Sequence, residues 1–147
     1  MRNRDAHGAQ LGCYTQGMHP DLTTIHGVEE LDRALAGSVE RPLLLFKHSY
    51  ACGTSAEALD ELLAHVDGSR HDVRYAMVTV QTHRDVSNAV AAQLGIRHET
   101  PQALLIRSGR VVWSASHFRV TSNAIRQAIA DATPALTVPE GSGRPLT

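Results

Sequence analysis

The sequence contains only two cysteines, Cys13 and Cys52, among its 147 residues. A secreted scaffold held together by disulfides is therefore excluded, and in a reducing compartment an isolated cysteine serves either packing or chemistry. The formal net charge of -1 lacks the basic excess used to bind nucleic acid or an anionic membrane. No run approaches the roughly 18 apolar residues of a membrane helix, and the N-terminal segment lacks the apolar stretch of a secretory signal. We expect a cytoplasmic protein with no nucleic-acid or membrane partner.

The length and composition fit one globular domain. The 42% hydrophobic and 20% charged residues lie near the averages for soluble proteins, and the length suits a single core. Residues 1–22 lack hydrophobic periodicity, and residues 134–147 are rich in Pro, Gly and Ser. We predict a flexible N-terminal extension over 1–22, a domain over 23–133 and a disordered tail over 134–147.

Strand-like and helical segments alternate along the predicted domain. Leu43–Phe46 is a continuous apolar run too short for a helix, which is typical of a strand buried on both faces of a sheet. The Gly-containing connection 107–110 predicts a hairpin between the last two strands. The predicted elements are helix 28–35, strand 43–46, helix 52–66, strand 75–80, helix 86–94, strands 103–106 and 111–113, and helix 125–132. This order predicts an α/β thioredoxin-like fold with a central four-stranded mixed sheet flanked by helices.

That topology brings four segments to one edge of the sheet. They are the loop after Phe46, Thr100–Pro101, Ser116–His117 and Gln81–His83. Because the third predicted strand runs antiparallel to the first, Thr100 and Pro101 are expected to face Cys52. A proline at this point can adopt the cis form, which leaves the backbone of Thr100 free to pair with an extended thiol ligand.

Cys52 is expected to begin a helix, and this position points to thiol chemistry. Unpaired amides and the dipole at a helix N-terminus stabilise an anion such as a thiolate, and Lys47 or His48 is expected to add positive potential. Ser55, one turn further on, is placed to donate a hydrogen bond to the thiolate but cannot form a disulfide. These residues predict a one-cysteine mechanism that uses an external thiol. The alternative is that Cys52 is a small, buried apolar residue.

From about Leu22 to Ala130 the sequence resembles the monothiol bacilliredoxin family, whose members are similar to thioredoxin and act with the low-molecular-weight thiol bacillithiol. The matching segments are Leu45-Phe46-Lys47-His48-Ser49-x-x-Cys52-x-x-Ser55, Val86-Ser87-Asn88, His98-Glu99-Thr100-Pro101-Gln102 and Trp113-x-x-Ser116-His117. The resemblance implies a thiol–disulfide oxidoreductase that removes bacillithiol from bacillithiolated client proteins. Bacillithiol is then a co-substrate, and no tightly bound cofactor is expected.

The resemblance implies catalytic roles for Cys52, Ser55 and Pro101. The residues expected to bind the thiol ligand are Lys47, His48, Gly53, Thr100, Ser116, His117 and Arg119. The malate carboxylates of bacillithiol need hydrogen-bond donors. Candidates are Lys47, which is the only lysine of the chain, together with His117, Arg119 and the N-terminus of the last helix.

Two positions depart from the family pattern. Gly53-Thr54 stand where members commonly carry Pro-Ile, and Thr100 stands where Ser often precedes the proline. Gly53 leaves open an iron–sulfur cluster carrier similar to monothiol glutaredoxins, which ranks second because residues 116–119 lack those proteins' glycine pair. A thioredoxin-like interaction module without redox activity is the third hypothesis. The nine histidines show no pair at helical spacing, so no metal site is expected.

Overall fold

A computed structural model of the chain describes residues 19–68 and 72–132. Nearly all of the predicted N-terminal extension, including Cys13, and the whole predicted tail lie outside these ranges. Within them, no helix has the length and apolar character needed to cross a membrane.

Strands and helices alternate as the apolar pattern predicts. The elements are β1 (Leu22–Thr24), α1 (Val28–Ala36), β2 (Leu43–His48), α2 (Gly53–Asp67), β3 (Arg74–Thr79), α3 (Arg84–Leu94), β4 (Gln102–Arg107), β5 (Arg110–Ser116) and α4 (Ser122–Ala132). Short 3-10 turns cover Gly37–Val39 and His117–Arg119. The α/β thioredoxin-like fold predicted from the sequence is confirmed.

The sheet is mixed and has the strand order β1-β3-β2-β4-β5. Strand β2 runs parallel to β3 and antiparallel to β4, and β4 and β5 form the predicted antiparallel hairpin. The sheet has five strands rather than the predicted four, because β1 adds a parallel edge strand beside β3. Only three residues make up β1, which is too short for an alternating hydrophobic pattern to reveal. The predicted boundary at residues 22 and 23 falls inside this strand.

Alternate residues of β2 build two apolar cores, one on each face of the sheet. Leu44 and Phe46 pack with the buried faces of α2 and α4. Leu43 and Leu45 pack instead with residues of α1 and α3. Each of these four side chains is almost wholly buried, which stabilises the fold by ~1.5–3 kcal/mol per side chain. The central position of β2 therefore fixes where its C-terminal end, and the loop that follows it, must lie.

Candidate active site

Cys52 is the N-cap residue of α2 and ends the loop that leaves β2. Its carbonyl accepts the N–H groups of Ser55 and Ala56, each at 3.1 Å. The side chain is half-buried, and it is the only free cysteine in the described part of the chain. The first amides of a helix have no intrahelical acceptor and form the positive end of its dipole. The thiol therefore lies at the positive end of a 15-residue helix.

Ser55 is fully buried, and its hydroxyl holds the loop rather than the sulfur. Its Oγ accepts the backbone N–H of Ser49 at 2.9 Å and lies 2.9 Å from Nδ1 of His48. Among residues 19–68 and 72–132 it forms no hydrogen bond with the Cys52 sulfur. The expected donation to the thiolate is thus not formed, because the hydroxyl faces the β2–α2 loop. Ser55 instead ties the first turn of α2 to the end of β2.

His48 is the last residue of β2, and its ring is buried on the α2 face. The ring stacks on Phe46 with centroids 6.0 Å apart. Burial lowers the pKa of His48 below its ordinary value of 6.5, because the charged form loses solvation. His48 is therefore neutral at neutral pH and does not supply the positive potential expected from the sequence.

Lys47 lies on the opposite face of the sheet, because successive residues of a strand alternate. The side chain is completely buried, and its Nζ lies 2.7 Å from Nδ1 of His98. Burial lowers the pKa of Lys47 from 10.5 to about 8. The Lys47 ammonium group, expected from the sequence to bind a ligand carboxylate, is instead buried beside His98.

The predicted convergence of chain segments around the end of β2 is confirmed. The Thr100–Pro101 peptide bond is cis, and the Pro101 carbonyl accepts the N–H of His117 at 3.0 Å. The next residue, Gln102, pairs with Lys47 on one side and Ser116 on the other. The segment before β4 is thereby fixed between the ends of β2 and β5.

Gln81 holds the third converging segment. Its Nε2 donates to Oγ of Ser49 at 2.6 Å, and its Oε1 accepts the N–H of Tyr50 at 3.3 Å. Ser49 Oγ also accepts the N–H of Ala51 at 3.3 Å. The loop that leads to Cys52 is therefore anchored by Gln81, which follows β3, and by Ser55 from α2.

A cavity of about 290 Å³ lies between the first two turns of α2 and the turn that follows β5. One wall carries Glu57, Asp60 and Glu61, and the other carries His117 and Phe118. Phe118 is 76% exposed, and His117 adopts a positive φ of 55°. The acidic wall is a feature that the sequence analysis missed, although carboxylates three and four residues apart on a predicted helix share one face.

The other predicted ligand-binding positions lie at the same edge but differ in their availability. Gly53 is exposed, and a Cβ atom added there would meet no atom within 4 Å. Arg119 is also exposed. The Ser116 side chain lies near Glu99 and lowers the pKa of that carboxyl group. Gly53 and Arg119 are thus more accessible to a ligand than Ser116, which is half-buried.

Residues 19–68 and 72–132 contain no group of three or more His, Cys, Asp or Glu side chains that are placed to hold a metal ion.

The sheet order together with one thiol at a helix start defines the class: a thioredoxin-fold protein with a single cysteine, Cys52, in the part of the chain that the structure describes. The sequence model of the family described as monothiol bacilliredoxin BrxC matches residues 23–125. The chain belongs to the monothiol bacilliredoxin family, as its motifs indicated. Family and fold together support a thiol redox role.

Solved structures share this architecture. A protein assigned as an oxidoreductase with a thioredoxin fold is 25% identical, with a TM-score of 0.67 over 78% of this chain and 96% of that one. A mutant thioredoxin from Halobacterium salinarum is 18% identical, with a TM-score of 0.62 over 77% and 91% of the two chains. Thioredoxin from Fasciola hepatica is 15% identical, with a TM-score of 0.61 over 74% and 97%. The two thioredoxins show similarity of fold alone.

Proposed function

We propose that the protein removes bacillithiol from bacillithiolated client proteins by exchange at Cys52. The observation that carries the proposal is the pairing of a half-buried thiol at the start of α2 with a buried serine three residues later. A dithiol enzyme would resolve a mixed disulfide from that later position. Ser55 cannot do so, and its hydroxyl is already bonded to the loop. The thiol that resolves the mixed disulfide therefore does not come from α2, and we assign that role to a second bacillithiol molecule.

In the first step the Cys52 thiolate attacks the bacillithiol sulfur of the client's mixed disulfide. The client's S–S bond breaks, and the client sulfur leaves as a thiolate that takes a proton from solvent. Cys52 then carries bacillithiol in a new disulfide. The exposed first amides of α2 stabilise the sulfur anion before attack.

In the second step the thiolate of another bacillithiol molecule attacks the bacillithiol sulfur bound to Cys52. Cys52 leaves as a thiolate, and the product is the disulfide of two bacillithiol molecules. The two steps together convert one bacillithiolated client and one free bacillithiol into reduced client and bacillithiol disulfide. The client's mixed disulfide is the oxidant and free bacillithiol is the reductant, so the reaction needs no bound cofactor.

The charge distribution around Cys52 favours one orientation of the bacillithiol carboxylates. Lys47 and His48 are buried and do not reach the ligand. Glu57 repels a carboxylate on the cavity wall, whereas Arg119 is exposed on the far side of the His117–Arg119 turn. We place the malate group toward Arg119 and the N-terminus of α4, and the extended part of the ligand along the Thr100 backbone.

Mass spectrometry of a bacillithiolated client protein incubated with free bacillithiol tests the proposal. We expect the wild type and Cys13→Ser to remove the adduct, and Cys52→Ser to lose at least about a thousandfold in rate, as removal of a catalytic nucleophile does. A transient mass increase of one bacillithiol on the wild-type chain is the expected intermediate. Client reduction by Cys52→Ser at the wild-type rate would refute the mechanism. A brown protein after anaerobic purification would instead favour a cluster carrier.

A further inference from the structure

The only lysine of the chain is buried beside the segment that leads into Pro101. Lys47 has none of its surface exposed, and its Nζ lies 2.7 Å from Nδ1 of His98. The other ring nitrogen of His98, Nε2, lies 3.3 Å from Oγ1 of Thr100. A chain of polar contacts therefore connects the end of β2 to the residue whose backbone is proposed to receive the thiol ligand.

The donor chemistry of lysine fixes the direction of this chain. An ammonium group has three donors and no acceptor, so Nδ1 of His98 must accept. The imidazole proton then lies on Nε2, which donates to Thr100 Oγ1. Ser87 Oγ lies 3.4 Å from the same Nδ1 and adds a weaker contact. Desolvation of the ring, Lys47 and Arg84 all lower the pKa of His98, and Glu99 opposes them. The ring is therefore kept neutral.

Gln102 holds the beginning of the same segment. It lies directly opposite Lys47 across the β2–β4 ladder, and its Nε2 donates to the carbonyl of Arg97 at 3.1 Å. Its Oε1 is buried without a partner, although the Lys47 ammonium has donors to spare on the adjacent strand. The segment from Arg97 to Thr100 is thus held from two neighbouring strand ends.

We propose that Lys47 is a positioning residue that acts through His98 to hold the segment from Arg97 to Thr100 in place for thiol exchange at Cys52. This inference rests on the proposed function. Burying an ammonium group without a carboxylate partner costs free energy, and an apolar side chain of similar volume often gives equal or greater stability. A lysine at this position is therefore better explained by a use in the reaction than by a use in the core.

Lys47→Met separates positioning from a merely structural role, because the two roles predict opposite effects on stability. We expect a urea midpoint at pH 7 equal to or above that of the wild type. We expect the exchange rate with a bacillithiolated client to fall about tenfold, the factor that loss of a charge-assisted hydrogen bond supports. A loss of rate accompanied by a matching loss of stability, or an unchanged rate, would overturn the proposal.

The pH profile provides a second readout. Lys47 loses its proton near pH 8, and the other charged groups that act on His98 are Arg84 from α3 and Glu99 from the segment itself. We expect the ratio of wild type to Lys47→Met to narrow from about tenfold at pH 7 toward about twofold at pH 9. A ratio independent of pH would contradict control by the ammonium.

Nitrogen NMR provides a readout independent of any client. In the wild type the His98 spectrum should show the proton on Nε2, and in Lys47→Met a mixture of both tautomers. Amide exchange at Glu99 and Thr100 should quicken about tenfold. His98→Ala should lower activity as Lys47→Met does, and the double variant should be no slower than either. His26→Ala, which removes an exposed histidine outside the site, is the control.

The two proposals fail in different ways. A wild type inactive on every bacillithiolated client would refute the proposed function while the NMR measurements still reported on Lys47. An active wild type with an unchanged His98 tautomer in Lys47→Met would refute only the positioning role.

Discussion

The two faces of the sheet at the end of β2 use buried polar side chains in different ways. On the face toward α2, His48 and Ser55 form a neutral pair that is hydrogen-bonded to each other and to the loop. On the face toward α3, Lys47 brings an ammonium group into the interior with only an imidazole beside it. Both arrangements hold a segment of the active site, but only the second requires a buried charge.

The difference lies in what each face must hold. The loop between Ser49 and Cys52 is anchored by neutral hydrogen bonds from Ser55 and Gln81, each of which is inexpensive to bury once it is satisfied. The segment before Pro101 is held by Gln102 and by the His98 ring, and a ring with two nitrogens has a defined orientation only when its tautomer is fixed. Lys47 fixes it, at a cost in stability that the neutral face does not carry.

The largest expected effect is the alkaline pH dependence of stability that Lys47 introduces. Its pKa falls from 10.5 in the unfolded chain to about 8 in the fold, so the unfolded chain binds more protons between these values. Stability must therefore rise with pH over this window, by up to roughly 3 kcal/mol. Urea denaturation of the wild type and Lys47→Met at pH 7, 8, 9 and 10 checks this.

The variant should be the more stable protein at pH 7, and its advantage should vanish near pH 10. If the difference in unfolding free energy between the two proteins stayed constant from pH 7 to pH 10, Lys47 would have its ordinary pKa. The two faces of the sheet would then not differ in the cost of burying their polar side chains.

A smaller effect is expected on the neutral face. Ser55→Ala removes the acceptor of the Ser49 N–H and the partner of His48, leaving two part-buried polar groups unsatisfied. We expect a loss of ~1–3 kcal/mol in the free energy of unfolding, measured by urea denaturation. Ser114→Ala, at an exposed position of β5, is the matched control and should change stability by less than ~0.5 kcal/mol.

The reactivity of the Cys52 thiol in Ser55→Ala distinguishes two roles for Ser55, which are to hold the β2–α2 loop or to donate a hydrogen bond to the thiolate. Cys52 should react with iodoacetamide in proportion to the folded fraction, because the hydroxyl contacts the loop rather than the sulfur. If Ser55→Ala kept wild-type stability but its thiol reacted more slowly, that result would support the original expectation that the Ser55 hydroxyl donates directly to the Cys52 thiolate.

Much of the fold could be predicted because its signals are local. The apolar run Leu43–Phe46 identified the central strand, and the turn at Ser108–Gly109, where both residues have positive φ, was predicted from the Gly-containing connection between two apolar runs. Strand order then followed from topological rules and placed Pro101 and His117 at the edge beside Cys52. Strand β1 was not predicted, because three residues are too few to show a periodic pattern.

The individual contacts of the site could not be predicted in the same way. The strand was predicted to end at Phe46, whereas β2 continues through His48 and both Lys47 and His48 are buried. The partner of the Lys47 ammonium is His98, which is 51 residues away along the chain. His98 belongs to a motif that the sequence identified, but no local pattern shows which buried group its ring meets. Strand alternation alone would have placed Lys47 and His48 on opposite faces.

The smallest expected effect concerns Gly53, the first residue of α2. Proline suits this position because its ring φ fits the first helical turn and its missing N–H has no intrahelical acceptor. The preceding residue, Cys52, already has the extended φ of -129° and ψ of 125° that proline requires of its neighbour. A side chain at Gly53 meets no atom within 4 Å. We expect Gly53→Pro to stabilise the fold by ~0.4–1 kcal/mol in urea denaturation.

Gly95 supplies the matched control, because its φ of 65° is unfavourable for any residue with a Cβ atom. Gly95→Ala should therefore destabilise the protein by about 1 kcal/mol, whereas Gly53→Ala should not. The exchange rate of Gly53→Pro also tests whether the backbone N–H of Gly53 donates to the Cys52 sulfur. An unchanged rate means that the helix dipole and the remaining amides suffice for the Cys52 thiolate. A slower reaction in a more stable protein would show that the Gly53 N–H itself donates to the sulfur, and the neutral face would then contribute directly to the chemistry.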